Sequence, residues 1–210
     1  MRKMLVVVAA FFAMATAGWA SPCVTIGSLS SFESLGSAGC TEGQAILANV
    51  SSTLPGAIML STEGTSKFLS GFIVEGGDFS SLAGTSNTLS FTITEPPGIG
   101  FFEFLIIPGD VTTGSATLAV TLSNGLSGTT TSTPGQSGGQ FILFSHQVGS
   151  LTVNATFTVA PGTTGPTENF ATIAADASPE PATLSLFVVG LLGLGLVCGR
   201  SLREAWRPCV

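Results

Sequence analysis

Apolar and polar residues alternate one for one along several stretches of the chain, the period of a strand that buries a single face. In 88–94, Leu89, Phe91 and Ile93 alternate with Thr88, Ser90, Thr92 and Thr94. In 150–159, Leu151, Val153, Ala155, Phe157 and Val159 alternate with Ser150, Thr152, Asn154, Thr156 and Thr158, and 117–122 follows the same rule. Shorter apolar runs at 46–50, 58–60, 68–74, 101–107 and 141–144 read as strands buried on both faces. Turn formers stand between them: Gly76-Gly77-Asp78, Pro96-Pro97-Gly98, Pro108-Gly109-Asp110, Asn124-Gly125 and Pro161-Gly162. About eight or nine strands at this spacing, with no strong amphipathic helix, predict an all-β fold, an antiparallel β-sandwich. The polar tract 129–139 predicts a long mobile loop between two strands. Residues 161–177, with Phe170, Ala171, Ile173 and Ala174, predict a final edge strand or a stalk.

Both ends break the alternation. Arg2 and Lys3 precede an apolar run over 4–15, followed by the small residues Ala17, Gly18 and Ala20. This is the layout of a secretory signal peptide, 1–20, cut after Ala20. The alternative, a short membrane anchor, falls well under the roughly 20 apolar residues that a span requires. Pro22 ahead of Cys23 argues against lipidation. At the other end, 182–199 holds no charge and is just long enough for a transmembrane helix at about 1.5 Å of rise per residue. Arg200, Arg203 and Arg207 follow that run, whereas Asp176 and Glu180 precede it, so the positive-inside rule puts the C-terminus in the cytoplasm and the body outside.

Pro179 and Pro181 fix φ and remove two backbone donors, so the chain is expected to be extended there, with the helix beginning after them. This Pro-Glu-Pro signal, one apolar helix and a basic stop resemble the PEP-CTERM sorting domain of exported bacterial proteins, over roughly 178–208. The resemblance implies recognition of Pro179, Glu180 and Pro181 by a membrane exosortase, with Arg200, Arg203 and Arg207 as the cytoplasmic basic stop. It also implies cleavage near the motif and delivery to the cell surface or extracellular polymer. The partners implied are Sec-type export machinery and signal peptidase, the exosortase, the inner membrane as a transient anchor, and extracellular polysaccharide. The chain departs from the family in spacing its arginines rather than clustering them. The alternative is an ordinary single-span anchor whose approach contains Pro-Glu-Pro.

Between the sorting segments, 21–177 has the length of one domain. Lys67 is its only basic residue against ten acids, a net charge near −9. So few cations argue against nucleic acid and anionic lipid as partners. Cys23 and Cys40 are the only cysteines of this region, and export to an oxidising compartment favours a disulfide between them over two free thiols. Two thiolates cannot complete a zinc shell and His146 is distant in sequence, so no metal site is expected. Residues 22–43 resemble the opening of a group of PEP-CTERM proteins in which two cysteines bracket a short helical segment ahead of a β-rich body, here with Leu29, Phe32 and Leu35 between them.

Candidate chemistry is sparse. His146 is the single histidine, no G-x-S-x-G is present, and the residue reads as a surface turn between strands. Glycoside hydrolysis needs two carboxylates across a cleft; Glu75 with Asp78, or Glu95 with Glu103, would have to supply them. Each pair adjoins Gly or Pro turns and reads as solvated loop acids. Glu75 and Asp78 are also the one place where two carboxylates share a turn, the most that can be offered to calcium. Carbohydrate platforms usually present tyrosine or tryptophan. This region has neither, since Tyr is absent and Trp19 and Trp206 fall in the end segments. Asn49-Val50-Ser51 and Asn154-Ala155-Thr156 match the glycosylation triplet but read as chance matches in a chain whose tail looks bacterial. The sequence reading is therefore a non-enzymatic exported surface or extracellular-matrix protein without a cofactor. The alternative is a glycan-binding module, with or without calcium, and third an exported hydrolase. Exposed phenylalanine beside loop acids would favour the binder; ordered paired carboxylates in a cleft would favour the hydrolase.

Overall fold

A computed structural model describes residues 20–62, 69–76, 79–97, 99–166 and 169–179. Residues 1–19 of the expected signal peptide, Glu180 and Pro181, the apolar segment 182–199, and Arg200, Arg203 and Arg207 lie outside the described residues, as do Lys67 and Asp78. Among the described residues no helix is long and apolar enough to cross a membrane.

The described residues form two sheets. The first takes β1 (Ser21–Pro22), β3 (Cys40–Glu42), β4 (Ala45–Ser52), β7 (Ser86–Thr94), β9 (Ala116–Leu122), β10 (Ser127–Ser132) and β12 (Ser150–Val159), in the order β1-β3-β4-β7-β12-β9-β10. The second takes β2 (Ile26–Ser28), β5 (Met59–Thr62), β6 (Leu69–Glu75), β8 (Ile99–Pro108), β11 (Gln140–Val148) and β13 (Asn169–Pro179), in the order β11-β8-β13-β6-β5-β2. All pairings are antiparallel except that of β1 with β3. The sheets form a sandwich, as the alternating pattern requires. Leu47, Ile93 and Leu151 make one inward row across β4, β7 and β12, and all three are buried.

Two short helices close gaps that strands leave open. α1 (Leu29–Glu33) starts at Ser28, whose Oγ accepts a hydrogen bond from the Ser31 N–H at 3.3 Å, and buries Leu29 and Phe32. α2 (Phe79–Leu82) buries Phe79 and Leu82, with the Phe79 ring edge-on to Phe170 at 4.7 Å. Cys23 and Cys40 are joined in a disulfide that brackets α1.

Three expectations change. Residues 169–179 are no edge strand or stalk: β13 lies between β6 and β8, with Ala171, Ile173 and Ala175 facing the core, and its backbone runs on to pair Pro179 with Ile99. The polar tract begins as a strand. Its first part pairs with β9 residue by residue, and a tight turn follows in which Thr133 and Gln136 exchange backbone hydrogen bonds. Threonine suits an extended backbone, and an edge strand pairs one row of its backbone groups with its neighbour while leaving the other row and half of its side chains to solvent. The runs 101–107 and 141–144 are buried on one face only, because nothing among the described residues covers the outer faces of β8 and β11.

The two outer faces differ in charge. Glu75, Glu103 and Asp176 all stand on the outer side of the second sheet, by their parity with inward Val74, Phe104 and Ala175. The strands β4, β7, β12, β9 and β10 contain no charged residue.

Candidate functional site

The most distinctive surface is the outer face of β11, β8 and β13. Register sets its layout: Phe141 stands opposite Leu105 and Leu143 opposite Glu103, while on the other side Ala174 faces Leu105 and Asp176 faces Glu103. Between Asp176 and Ala177 the pairing with β8 steps from Glu103 to Phe101. Phe102 is the residue passed over, a β-bulge of the kind that re-aims a side chain. Phe102 is 39 % exposed, Phe141 57 % and Leu143 69 %. Two phenylalanines and a leucine therefore reach solvent beside two carboxylates that are cross-strand neighbours. Like charges placed so are mutually unfavourable. Partial burial holds the Asp176 carboxyl above the usual aspartate range.

At its upper end this face opens into a cleft of about 260 Å³ lined by Ile107, Pro108, Asp110, Ser137, Pro166 and Thr172. A neighbouring hollow of about 300 Å³ shares Asp110 and Ser137 and is walled by Thr133 and Gln136. Three connections build the cleft: β8 to β9, β10 to β11, and β12 to β13. Backbone bonds tie two of them together, with Thr112 N–H donating to Thr164 O at 2.7 Å and Gly109 N–H donating to Phe170 O at 2.7 Å. Gly165 is required for this closeness, since a Cβ there would lie 2.6 Å from the Asp110 carbonyl oxygen and 2.6 Å from the Phe79 ring.

The cleft offers one carboxylate, two hydroxyls and an apolar floor, and the adjoining face adds flat phenylalanine surface and carboxylate acceptors. Such a set can hold a sugar ring by its C–H face while accepting its hydroxyl protons. Among the described residues Asp110 is the one acid that lines the cleft, while Glu103 and Asp176 stand on the adjoining outer face.

The other sequence candidates are dispersed. Glu75 accepts a hydrogen bond from Ser61 Oγ at 2.7 Å. Glu95 is not a solvated loop acid: it is 6 % exposed, its Oε2 is buried without a hydrogen-bond partner, and burial raises its pKa. It thus shares no surface with Glu103 on the outer face. His146 lies on β11 rather than in a turn, exposed, with Ser145 Oγ 3.1 Å from Nδ1. Among the described residues no group of three or more His, Cys, Asp or Glu could hold a metal ion. The exposure of Phe102, Phe141 and Leu143 escaped the sequence reading, since a run that is apolar at both parities looks the same whether its second face is covered or bare. Glu103, a carboxylate inside such a run, was the available hint.

No family model matches the chain, and no curated protein matches it. Among solved structures it is similar to TmCBM61 in complex with beta-1,4-galactotriose, at 14 % identity and a TM-score of 0.30, over 61 % of this chain and 83 % of that one. It is also similar to the enzymatically active domain of bacteriophage CBA120 tailspike protein 4, at 12 % identity and a TM-score of 0.28, over 68 % of this chain and 20 % of that one. A third similarity is to the Arthrobacter globiformis T6 isomalto-dextranase complexed with panose, at 13 % identity and a TM-score of 0.28, over 65 % of this chain and 23 % of that one. Scores this low transfer neither ligand nor activity to this chain.

Proposed function

We propose that the protein is a non-enzymatic, exported surface or extracellular-matrix protein that holds a neutral or amino-bearing glycan on the outer face of β8, β11 and β13. The observation that carries this is the exposure of Phe102, Phe141 and Leu143 beside Glu103 and Asp176. Apolar C–H faces of sugar rings stack on the phenylalanines, and the carboxylates accept hydroxyl or ammonium protons. Asp110, Ser137 and Thr172 in the cleft receive the end of the chain. Among the described residues there is neither lysine nor arginine, so an acidic polysaccharide would need a bridging divalent ion.

Export and release follow from the two ends. The signal peptide directs secretion, the segment 182–199 holds the protein briefly in the inner membrane, and an exosortase acts at Pro179, Glu180 and Pro181. Support for this comes from residue order alone.

The test of the glycan face is a pull-down on the producing cell's own extracellular polymer with full-length protein. Phe102→Ala/Phe141→Ala is expected to bind about tenfold more weakly, from a loss of about 0.5–1.5 kcal/mol per ring. Unchanged binding by this variant would remove the face from consideration. Loss of wild-type binding in excess chelator would favour a calcium-assisted version.

A further inference from the structure

The opposite side of the sandwich is chemically unlike the first and plays no part in that reading. Its strands stack hydroxyl residues in register. Ser86, Thr158, Thr117 and Thr131 form one row across β7, β12, β9 and β10, and Ser90, Asn154, Thr121 and Ser127 form another. Thr92 with Thr152 and Thr94 with Ser150 extend the field along β7 and β12. Neighbours bond across the strands: Thr94 Oγ1 to Ser150 Oγ at 2.9 Å, Thr117 Oγ1 to Thr131 Oγ1 at 3.0 Å, and Ser90 Oγ donating to Asn154 Oδ1 at 2.8 Å.

Two facts narrow what such a surface can hold. The mature region carries a net charge near −9, yet the five strands of this face have no charge. Strands without charge offer no ionic partner and so favour an uncharged complement; Glu33 borders the face at one end, its Oε1 accepting a hydrogen bond from the Ser52 N–H of β4 at 3.0 Å. Each hydroxyl pair also uses one donor and leaves one donor and several lone pairs open, so the face both donates and accepts. Sugar hydroxyls do the same.

We infer that this face is a second binding surface, for chains of a neutral, hydroxyl-rich polysaccharide. A domain with an acid and phenylalanine face on one side and a hydroxyl face on the other engages two polymer strands at once and acts as a cross-link in the matrix. Geometry selects a chain over a crystal. Adjacent strands rotate by roughly 20–25°, so rows spaced about 4.8 Å across and 6.7 Å along the strands fan out, which a flexible chain follows and a flat lattice does not. A second copy of the protein is a poorer occupant, because Ile46, opposite Thr94 and 36 % exposed, is the one large apolar side chain among the described residues of this face, beside the small Ala48 and Ala119, whereas stable dimers bury an apolar centre.

The experiment is affinity electrophoresis of the full-length protein in gels containing dextran, amylose or amorphous cellulose, at low and high salt. Wild type is expected to be retarded by at least one of the three, equally at both salt concentrations. In the Phe102→Ala/Phe141→Ala background, which takes away the rings of the first face, Thr121→Val/Thr152→Val/Thr158→Val keeps shape and β-branching while removing three exposed hydroxyls, and should weaken the retardation about tenfold. Thr121→Asp/Thr152→Asp should lose it as well, and an unchanged melting temperature in either variant shows that the fold is intact. Phe102→Ala/Phe141→Ala should keep it, which separates this face from the first. Absence of retardation in all three polymers, retention by both hydroxyl-face variants, or loss on Phe102→Ala/Phe141→Ala alone would each overturn the proposal, as would affinity for ice crystals in its place.

Discussion

Phe72 on β6 and Phe91 on β7 meet edge to face across the sandwich, with ring centroids 5.0 Å apart and planes at 86°. Phe72 takes the edge of Phe32 from α1 on another side, at 5.1 Å. One fully buried ring thus joins both sheets to the disulfide-bracketed helix. Phe72→Ala is expected to cost about 3–5 kcal/mol, the range for truncating a buried aromatic ring. Urea unfolding measures it, and a loss under 1 kcal/mol would mean that this contact does not organise the core. Phe141→Ala, on the solvent side, should stay within about 0.5 kcal/mol.

The Cys23–Cys40 disulfide spans 17 residues of sequence and encloses α1. Cys40→Ser is expected to lower stability by about 2–4 kcal/mol, chiefly by freeing the unfolded chain. Alkylation of the exported protein before and after reduction checks the bond. Alkylation of both Cys23 and Cys40 without reductant would contradict it.

Glu95 gives the domain an unusual pH response. Burial raises its folded pKa above the ordinary value of 4.5, so between those two values the native state binds more protons than the unfolded chain. Stability therefore falls as pH rises through that window, and the penalty is complete above it. Asp176 acts in the same direction. The melting temperature is expected to rise as pH is lowered through that window, and Glu95→Gln should flatten the rise while increasing stability above it. A melting temperature that drops steadily over the same range would refute the assignment.

Glu180→Ala should leave full-length protein in the inner membrane if the Pro-Glu-Pro motif is the sorting signal. Fractionation with a C-terminal tag reads this directly. Equal release of tag-free mutant and wild type would instead indicate a permanent anchor or another protease.

The alternating strands 88–94 and 150–159 were legible because each must bury one face, and a period of two admits few other structures. Cys23 and Cys40 were legible as a pair because only two cysteines stand between residues 21 and 177. The place of β13 was not. Its Phe170, Ala171, Ile173 and Ala174 record that something covers them, yet an edge strand and a central strand differ only in how many neighbours supply hydrogen bonds. Likewise 127–132, a run of Ser, Thr and Gly, looks like a loop until β9 offers it a partner.

Residue order by itself therefore determined the all-β class, the candidate disulfide and the proposed addresses at the two ends, all of which depend on local period, residue identity or charge order. Tertiary structure decided that Phe102 and Phe141 face solvent beside Glu103 and Asp176, that Glu95 is buried, and that threonines from four strands share one uncharged face. Those outcomes rest on register between strands up to scores of residues apart. A register shift of one residue would turn every side chain to the other side, and no single strand carries that information.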